Sequence, residues 1–305
     1  MPELPDVTVY CESIAARTVG HALEKIRLAS PFVLRTYTPP ASAFEGKKVT
    51  GVKRLGKRIV IAVEGNLFVV IHLMIAGRFR WEAGSERPKV PGKLGLAAFD
   101  FDSGTLILTE AASKKRASIH LCADEAAVLA LHAGGIELDA CDDASFFAAL
   151  TRENHTLKRA LTDPRILSGI GNAYSDEILW AARLSPVQLT SRLSAGDARA
   201  LLAVARTTLA HFTELLRAAA EKGFPEKVTA FRPEMAVHGR YGEPCRRCGA
   251  KVQRIAYASN ETNYCATCQT GGKLLADRAL SRLLGKDWPK SLEELEEMKS
   301  ARKTP

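Results

Sequence analysis

The chain has 305 residues, 46% of them hydrophobic, and its 43 Lys and Arg against 34 Asp and Glu give a formal net charge of +9 at pH 7. This length and apolar content suffice for two domains with cores of their own. No stretch approaches about 18 consecutive apolar residues and no secretory signal pattern opens the chain, which predicts a cytoplasmic or nucleoid-associated protein without a membrane span. The positive charge favours a polyanionic partner.

The amino end combines two reactive groups. The chain opens Met1-Pro2-Glu3-Leu4-Pro5, and removal of Met1 would expose the secondary amine of Pro2 beside the Glu3 carboxylate. Such an amine can attack an aldehyde carbon and form a Schiff base. Because an α-amino group has a pKa of about 7.7–8.0, much of it is unprotonated near neutral pH. Apolar residues at helical spacing over 7–14 then predict an amphipathic helix that ends at Gly20.

The next region has the pattern of antiparallel strands. Residues 57–63 and 67–73 flank Glu64-Gly65-Asn66, and residues 94–101 and 105–108 flank Asp102-Ser103-Gly104. Both arrangements are typical of β-hairpins. We therefore predict that residues 1–132 form a β-sandwich with an N-terminal helix. Glycines and acidic residues over 132–143 predict a hinge between domains.

The second half is predicted to be helical over 146–150, 157–161, 172–182 and 195–216, within a domain of residues 145–222. The third of these helices follows Ser168-Gly169-Ile170-Gly171-Asn172. Two glycines before a helix allow a turn whose backbone N–H groups bind a phosphate. A plain helix–turn–helix connection is the open alternative for this segment.

Four cysteines predict a metal site. Cys245-x2-Cys248 is followed after sixteen residues by Cys265-x2-Cys268, a spacing at which four thiolates hold one structural zinc ion. A redox-active CxxC pair is the alternative. Eight Lys and Arg against three acids surround the quartet between 240 and 282, as binding of phosphate requires. We assign residues 238–272 to a zinc finger and 273–305 to a C-terminal helical extension.

Together these features resemble the formamidopyrimidine-DNA glycosylase / endonuclease VIII family of base-excision repair enzymes. The resemblance covers nearly the whole chain and is carried by four motifs: Pro2-Glu3-Leu4-Pro5, Gly56-Lys57-Arg58, Leu157-Lys158 through Gly169-Ile170-Gly171-Asn172-Ala173-Tyr174 with Glu177, and the cysteine quartet. It implies an α+β fold in which the β-sandwich lobe with its N-terminal helix precedes a helix–two-turn–helix domain with a C-terminal zinc finger. A monomer binding double-stranded DNA in the cleft between lobes is also implied.

The resemblance further implies a role for each matching residue. Pro2 would attack C1′ of the damaged nucleoside, and Glu3 would be the general acid/base. Lys57 would contact the phosphate flanking the lesion, Asn172 would bind backbone phosphate, and Lys158 would contact DNA. The activity implied is that of a bifunctional glycosylase and AP lyase acting on damaged, oxidised or abasic DNA. Without the family context, the ordinary interpretations are a surface lysine for Lys57, a helix N-cap for Asn172 and a solvated acid for Glu3.

Two departures from the family pattern concern DNA contacts. The arginine that the family places five residues before the third cysteine is Asn260 here, which can contact the phosphate by hydrogen bonds but carries no charge. Either Arg254 or another cation supplies the missing charge, or the grip on the phosphate beside the lesion is weakened. The family fills the gap left by the flipped base with a methionine and an Arg/Phe pair. This chain has Ile75 at the aligned methionine position, and its loop carries the cations Lys114, Lys115 and Arg116, which we expect to contact DNA.

These departures leave two alternatives open. One is a lyase or glycosylase with a specialised lesion range, which the altered gap-filling residues favour. The other is a zinc-finger DNA-binding protein without catalysis, which the missing arginine favours. Retention of both Pro2 and Glu3 argues against the second alternative, because phosphate binding alone does not require that pair. The extension beyond residue 272 has no counterpart in the family pattern.

Overall fold

A computed structural model describes residues 1–226, 228–229, 231–257, 260–276 and 278–301. The chain divides into two compact units. The first comprises Met1–Gly134 with Leu209–Thr229, and the second comprises Gly135–Thr208 with Ala230–Pro305. Among the described residues, no helix is both long and apolar enough to span a lipid bilayer.

The first unit begins with helix α1 (Leu4–Thr18). Glu3 is its N-cap, Pro5 lies in its first turn, and the Asp6 carboxylate accepts a hydrogen bond from the Glu3 backbone N–H at 2.9 Å. Each of these features satisfies or removes an N–H donor that a helix leaves unpaired at its start. The helix buries Val7, Tyr10 and Ile14, which confirms the predicted amphipathic helix.

Eight antiparallel strands form the rest of this unit: β1 (Ala22–Leu28), β2 (Lys47–Leu55), β3 (Arg58–Val63), β4 (Leu67–His72), β5 (Gly77–Ala83), β6 (Gly95–Phe101), β7 (Gly104–Glu110) and β8 (Ser118–Cys122). Their order is β5-β7-β6-β1-β2-β3-β4-β8. Strands β1 and β2 share a short register around Ala22↔Lys48, and Ile59 of β3 lies in the same buried cluster as Phe99 of β6. Two halves of four strands thus enclose one core, as the predicted β-sandwich requires.

The predicted hairpins are confirmed, with one difference. In the β6–β7 hairpin, Phe101 pairs with Gly104, so the turn contains only Asp102 and Ser103. Gly104 already belongs to β7, with φ of 154°. Side chains rarely adopt this φ, and a Cβ at this position would lie 2.6 Å from both the Glu82 carbonyl oxygen and an atom of the Trp81 ring, so backbone conformation and close packing both require glycine. A short helix, α2 (Glu125–Leu129), follows β8.

The second unit contains α3 (Asp143–Thr151), α4 (Leu157–Thr162), α5 (Asn172–Ala181) and the start of the long helix α6 (Ala195–Ala220), whose later turns belong to the first unit. The four helices confirm the predicted ones with small shifts of their ends. Asp142 and Thr156 cap α3 and α4 through side-chain oxygens that accept backbone N–H groups. The hairpin β9 (Gln253–Tyr257) and β10 (Asn260–Tyr264) leads into α7 (Ala266–Thr270).

The C-terminal extension forms α8 (Arg278–Leu284) and α9 (Leu292–Ala301). The predicted helical tail is therefore interrupted over 285–291, where Pro289 cannot continue a helix. Leu274 lies in a buried cluster with Ile255 and Tyr264 of the hairpin, and Leu292 and Leu295 pack against that cluster. The extension thus covers one face of the zinc-finger hairpin.

Candidate active site and zinc centre

The amino end of the chain is buried in the first unit. Pro2 is buried and Glu3 is only 2% exposed. Burial lowers the pKa of the Met1 amino group, which precedes Pro2, and the cations Arg78 and Lys57 act in the same direction, whereas the carboxylates of Glu3 and Asp6 oppose it. An amine in this environment is more often unprotonated, and therefore nucleophilic, than one in water.

Lys57 occupies the two-residue turn between β2 and β3, where Leu55 pairs with Arg58 and Gly56 has φ of 60°. A positive φ is favourable only for glycine in such a turn, so Gly56 fixes the backbone that presents Lys57. The Lys57 side chain is half-buried. Other cationic residues lie near this turn, and their combined positive charge suits binding of an anionic ligand.

His72 lies beside this turn, because it pairs with Arg58 across β3 and β4. Burial lowers the pKa of His72 to about 4, and the charges of Arg58, Lys57 and His120 contribute. The imidazole is therefore neutral at pH 7, and its Nδ1 accepts a hydrogen bond from the Met74 N–H at 3.0 Å. No sequence pattern marks His72, because its cationic surroundings come from strand pairing that the sequence does not display.

Two loops leave the same edge of the sheet, because Gly77 at the start of β5 pairs with Glu110 at the end of β7. The turn over residues 73–77 presents Ile75, whose side chain is 58% exposed. Ile75, the residue at the aligned position of the family methionine, therefore lies exposed within this turn.

The loop over residues 111–117 is organised by the buried Glu110. One carboxylate oxygen accepts hydrogen bonds from the backbone N–H groups of Arg116 at 2.8 Å and Ala117 at 3.1 Å. The Lys115 ammonium bonds the Glu110 carbonyl. Lys115 is consequently half-buried, whereas the side chains of Lys114 and Arg116 are exposed. Of the three predicted cations, two are directed to solvent and one stabilises the loop.

In the second unit, the glycine turn precedes α5 as predicted. Gly169 has φ of 86°, and Gly171, rather than Asn172, is the N-cap of α5. Asn172 is the first residue of the helix and its side chain is half-buried. The N-cap alternative for Asn172 is therefore wrong, and its amide stands at a helix N-terminus, where backbone N–H groups favour anions.

Lys158 differs from the expectation of a DNA contact. It is 5% exposed, and its ammonium lies 2.5 Å from one carboxylate oxygen of Asp176 and 2.7 Å from the Asn172 carbonyl. The other Asp176 oxygen lies 2.8 Å from Nδ1 of His238 and accepts the Asn263 N–H at 3.2 Å. A buried lysine needs such a paired partner. Lys158 therefore fixes the start of α5 from within the protein.

Glu177 supports the same helix. Its carboxylate accepts three backbone N–H groups, from Ala236 at 2.7 Å and from Val237 and His238 at 2.9 Å. Burial raises the pKa of Glu177, while these three hydrogen bonds act against that rise. These hydrogen bonds hold α5 against residues 236–238, which lead into the zinc finger. Sequence reasoning did not identify Asp176, His238 or Asn263, which come together only through the fold.

The four predicted zinc ligands converge. The sulfur atoms of Cys245, Cys248, Cys265 and Cys268 all lie within 4.8 Å of one another. Gly249, with φ of 77°, donates its N–H to the Cys245 carbonyl at 2.8 Å and closes the first CxxC turn. Four thiolates fill the tetrahedral shell of zinc and leave no position for a catalytic water. The quartet is therefore a structural zinc site.

The basic side chains around the quartet are partly used within the protein. Arg247 lies over the Trp180 ring, with 4.2 Å from its guanidinium carbon to the ring centroid. Arg254 is exposed, stacks on Tyr241 at 4.5 Å and lies 3.6 Å from a Glu261 carboxylate oxygen. Asn260 begins β10, but its side chain lies outside the part of the chain that the structure describes. Of Asn260 and Arg254, the structure therefore describes only the Arg254 side chain.

Three family models match consecutive parts of this chain. Residues 1–114 match the formamidopyrimidine-DNA glycosylase N-terminal domain, residues 136–220 match the formamidopyrimidine-DNA glycosylase H2TH domain, and residues 242–271 match a zinc finger found in FPG and IleRS. The last match ends at 271, so the helices of the C-terminal extension lie beyond all three.

Characterised relatives and solved structures agree with these matches. The formamidopyrimidine-DNA glycosylase of Acidothermus cellulolyticus is 32% identical over 286 residues, covering 88% of this chain and 97% of that protein. The crystal structure of the Thermus thermophilus MutM (FPG) protein aligns with a TM-score of 0.74 and 30% identity over 88% of this chain and 98% of that one. The Lactococcus lactis enzyme, non-covalently bound to DNA containing an AP site, aligns with a TM-score of 0.75 and 25% identity over 88% of this chain. The chain therefore belongs to the formamidopyrimidine-DNA glycosylase family.

Proposed function

We propose that the protein is a bifunctional DNA glycosylase and AP lyase that acts on double-stranded DNA with damaged or abasic sites. The observation that carries the proposal is the buried amino end, where Pro2 and the N-cap residue Glu3 directly precede α1 and are both buried. Solved relatives from Lactococcus lactis are bound to DNA containing an abasic site or Fapy-dG, which supports this class of ligand. We further expect a monomer associated with the nucleoid.

The proposed reaction begins with extrusion of the damaged nucleotide, because C1′ cannot be reached inside a stacked duplex. The lone pair of the Pro2 nitrogen forms a bond to C1′. The glycosidic bond breaks with its electron pair on the base nitrogen, which takes up the proton that the amine loses. Glu3 donates a proton to the ring oxygen, the bond from C1′ to that oxygen opens, and an iminium ion forms between C1′ and the nitrogen.

The iminium ion then permits strand scission. It withdraws electrons and acidifies C2′, so a base removes a C2′ proton and the 3′ phosphate leaves with its bonding electron pair. Glu3, which has given up its proton, is placed to act as that base. Water finally adds to C1′ and releases the amine. A zinc ion held by Cys245, Cys248, Cys265 and Cys268 would take no part in bond making, since four thiolates would leave no position for water or substrate.

Phosphate binding is proposed for both units. In the first unit Lys57, with the exposed Lys114 and Arg116, supplies positive charge. In the second unit Arg254 on the hairpin supplies positive charge, and Asn172 at the start of α5 supplies a neutral hydrogen-bond donor at a helix N-terminus. Lys115 and Lys158 act indirectly, because Glu110 and Asp176 hold their ammonium groups within the protein. Such charged contacts would position the DNA without reading its sequence.

Borohydride trapping tests the proposed nucleophile. Protein mixed with an abasic duplex and borohydride should become covalently linked to DNA, and peptide mapping should place the adduct on Pro2. Glu3→Gln should nearly abolish excision of an intact damaged base but retain reaction with preformed abasic sites, since an aldehyde needs less acid assistance. An adduct on Lys57 with Pro2 unmodified would overturn the assignment. Absence of any adduct, with DNA binding intact, would favour the non-catalytic alternative.

The exposed loops favour a specialised lesion range. Excision of an oxidised guanine paired with cytosine requires extrusion of the base and support for the gap, whereas an abasic site needs neither. Ile75 and the cationic loop replace the family's methionine and Arg/Phe pair. A lost charged hydrogen bond costs about 1.5–3 kcal/mol, or roughly ten- to a hundredfold in rate. Single-turnover rates should therefore favour abasic over 8-oxoguanine:C duplexes; equal rates would contradict this preference.

A further inference from the structure

The outer face of strands β3, β4 and β8 carries a group of cationic and imidazole side chains at one end. Arg58 on β3 pairs with His72 on β4, and Val70, two residues before His72, pairs with His120 on β8. Because side chains alternate between the faces of a sheet, Arg58, His72 and His120 lie on one face. Alternate residues of the same strands fill the core on the other face.

A fourth side chain, Arg35, extends this face beyond β8. Leu34 forms a parallel bridge with Ile119, and the Arg35 N–H donates to the Ile119 carbonyl at 2.9 Å. Leu34 packs on the same core as Ile119, so alternation directs Arg35 to the outer face, beside His120. A second hydrogen bond, from the β8 backbone to the Thr36 hydroxyl at 2.6 Å, fixes this segment.

The positive charges on this face are not neutralised within the described part of the chain. No carboxylate there lies within ion-pair distance of Arg35, Arg58 or His120. The Nε atom of Arg58 is buried and has no hydrogen-bond partner among the described residues. A buried donor without an acceptor is unfavourable, so an anion bound beside Arg58 would satisfy it.

The charged groups act on one another across the face. Burial lowers the pKa of His120, and the charges of Arg58 and Arg35 contribute to this shift. Arg58 and His120 likewise contribute to the lowered pKa of His72. Groups that interact in this way lie close together, so an anion between them would be attracted by more than one positive charge.

The acidic residues of the neighbouring helix are already engaged. Helix α2 covers the adjoining part of the outer face through Val128. Asp124 caps α2, and Glu125 pairs with Lys53 at 2.8 Å. Both carboxylates thus have partners other than the two arginines, which keeps the positive charge of the arginines available to a ligand.

The loop that carries Arg35 also carries two exposed aromatic rings. Phe32 and Tyr37 lie on either side of Arg35 along the chain and are 81% and 76% exposed. Cations beside exposed aromatic rings are typical of surfaces that follow a nucleic-acid strand. Lys57, proposed above to contact a DNA phosphate, immediately precedes Arg58. A DNA strand is therefore the anion that fits this face.

We propose that Arg35, Arg58 and His120 form a second phosphate subsite, which binds the DNA backbone beyond the phosphate at Lys57. This inference rests on the proposed function. Strands lie about 4.8 Å apart and residues rise about 3.4 Å, so the Cα atoms of Arg58 and His120 are roughly 12 Å apart. The long arginine side chains can close that distance around one phosphate group. The subsite positions the strand and reads no base.

Binding of a duplex that contains a tetrahydrofuran abasic-site analogue, measured against salt concentration, tests the subsite. Loss of one phosphate contact should lower the slope of log affinity against log salt by about 0.9. Arg35→Gln/Arg58→Gln should show this lower slope and bind about three- to tenfold more weakly at physiological salt. Lys25→Gln/Lys48→Gln removes two exposed lysines from β1 and β2 and is the matched control for net charge, so it should retain the wild-type slope.

A scan with single methylphosphonate linkages identifies the phosphate concerned. A methylphosphonate carries no charge, so the wild-type protein should lose affinity at each contacted position. In Arg35→Gln/Arg58→Gln the loss at one position near the Lys57 phosphate should disappear, because that contact is already absent. His120→Leu should weaken binding at every salt concentration with an unchanged slope, since a neutral imidazole donates a hydrogen bond but carries no charge. Single-turnover cleavage at saturating DNA should match the wild type in each variant.

The outcomes separate the two proposals. No binding of the abasic-site analogue and no adduct on Pro2 in the wild-type protein would overturn the proposed function. Wild-type binding, with equal slopes in the arginine and lysine double variants, would overturn the subsite alone. Identical methylphosphonate profiles in the wild type and the arginine double variant would do the same. If the arginine double variant does not fold, Arg35→Gln changes an exposed residue, and its slope compared with that of Lys25→Gln gives the same decision.

Discussion

Burial makes His72 a neutral hydrogen-bond acceptor at physiological pH. Its Nδ1 holds the Met74 N–H, and Met74 begins the turn that presents Ile75. Protonation of Nδ1 would remove that acceptor and add a positive charge beside Arg58 and Lys57. The geometry of the turn is thus linked to the protonation state of a residue that is itself not exposed.

The first prediction concerns the stability that His72 loses in acid. An unfolded histidine has a pKa near 6.5, whereas burial lowers that of native His72 to about 4. Between these values the unfolded chain binds a proton that the native state does not, so the free energy of unfolding falls as pH falls, by up to about 3 kcal/mol. In His72→Asn, whose amide oxygen can replace Nδ1, this dependence should be absent. Urea unfolding at pH 7 and 4.5 measures it.

His211 provides the control for that measurement, because it is exposed on α6. His211→Asn should lose as much stability between pH 7 and 4.5 as the wild-type protein. If His72→Asn keeps the full wild-type dependence, other buried groups must be responsible.

The second prediction concerns the buried ion pair of the second unit. Lys158→Met leaves Asp176 buried without its cation, which should cost about 3–5 kcal/mol in the free energy of unfolding. Arg159→Met, at an exposed position on the same helix, should change stability by no more than about 0.5 kcal/mol. Chemical denaturation compares the two. Asp176→Asn added to Lys158→Met should recover part of the loss; a loss below about 1 kcal/mol in Lys158→Met would contradict this account.

At the scale of elements, the extension contributes a packing layer that the family matches lack. Leu274 is 7% exposed against Ile255 and Tyr264, and the Leu275 N–H donates to the Tyr264 hydroxyl at 2.8 Å. Lys251 on the finger also pairs with Glu296 of α9 at 2.8 Å. A small metal-bound hairpin has little core of its own, so added apolar contacts should stabilise it.

The third prediction follows from that layer. Truncation after Gly272 should expose the hairpin face and accelerate transfer of zinc to a chromophoric chelator several-fold, because opening of the finger precedes zinc loss. Burial of one leucine contributes about 1.5–3 kcal/mol, so Leu274→Ala alone should show part of the effect. Truncation after Ala301 is the control and should leave the rate unchanged. An identical rate after both truncations would show that the extension does not stabilise the finger.

At the scale of the whole molecule, charge and zinc act together. The net charge of +9 favours binding of DNA without regard to position on the surface. The positions of the cations around the finger, by contrast, depend on a fold that zinc at the cysteine quartet would hold together. Arg247 on Trp180 and the hydrogen bond from Trp180 Nε1 to the Cys245 sulfur show how closely the two are connected. Loss of zinc should therefore reduce DNA affinity without changing the sequence charge.

The fourth prediction tests this dependence. Native mass spectrometry should detect one zinc ion per wild-type chain and none in Cys265→Ser. This variant should also bind a duplex roughly tenfold or more weakly. Cys141→Ser, at a half-buried cysteine apart from the quartet, should keep both properties. DNA binding that survives complete chelation would contradict the proposed role of the finger.

Features that depend on the spacing of nearby residues could be predicted from the sequence alone. Helix α1, the β3–β4 hairpin, the helices of the second unit and the zinc quartet were all predicted, because capping, alternation and CxxC spacing act over a few residues. The α+β fold and the family were predicted through motifs in their order along the chain. The β6–β7 turn ends one residue earlier than predicted, because Gly104 pairs with Phe101 and packs against Glu82 and Trp81, contacts that the local sequence does not display.

Only the tertiary structure decided which residues share an environment. Lys158 has the sequence character of a surface lysine, yet Asp176 lies one helix further along the chain and binds it in the interior. No sequence pattern marks Arg78, because the Val228 carbonyl that accepts its hydrogen bond lies 150 positions away along the chain. Burial and charge depend on such long-range contacts, and these determine whether a side chain contacts DNA, supports a helix or changes the pKa of a neighbour.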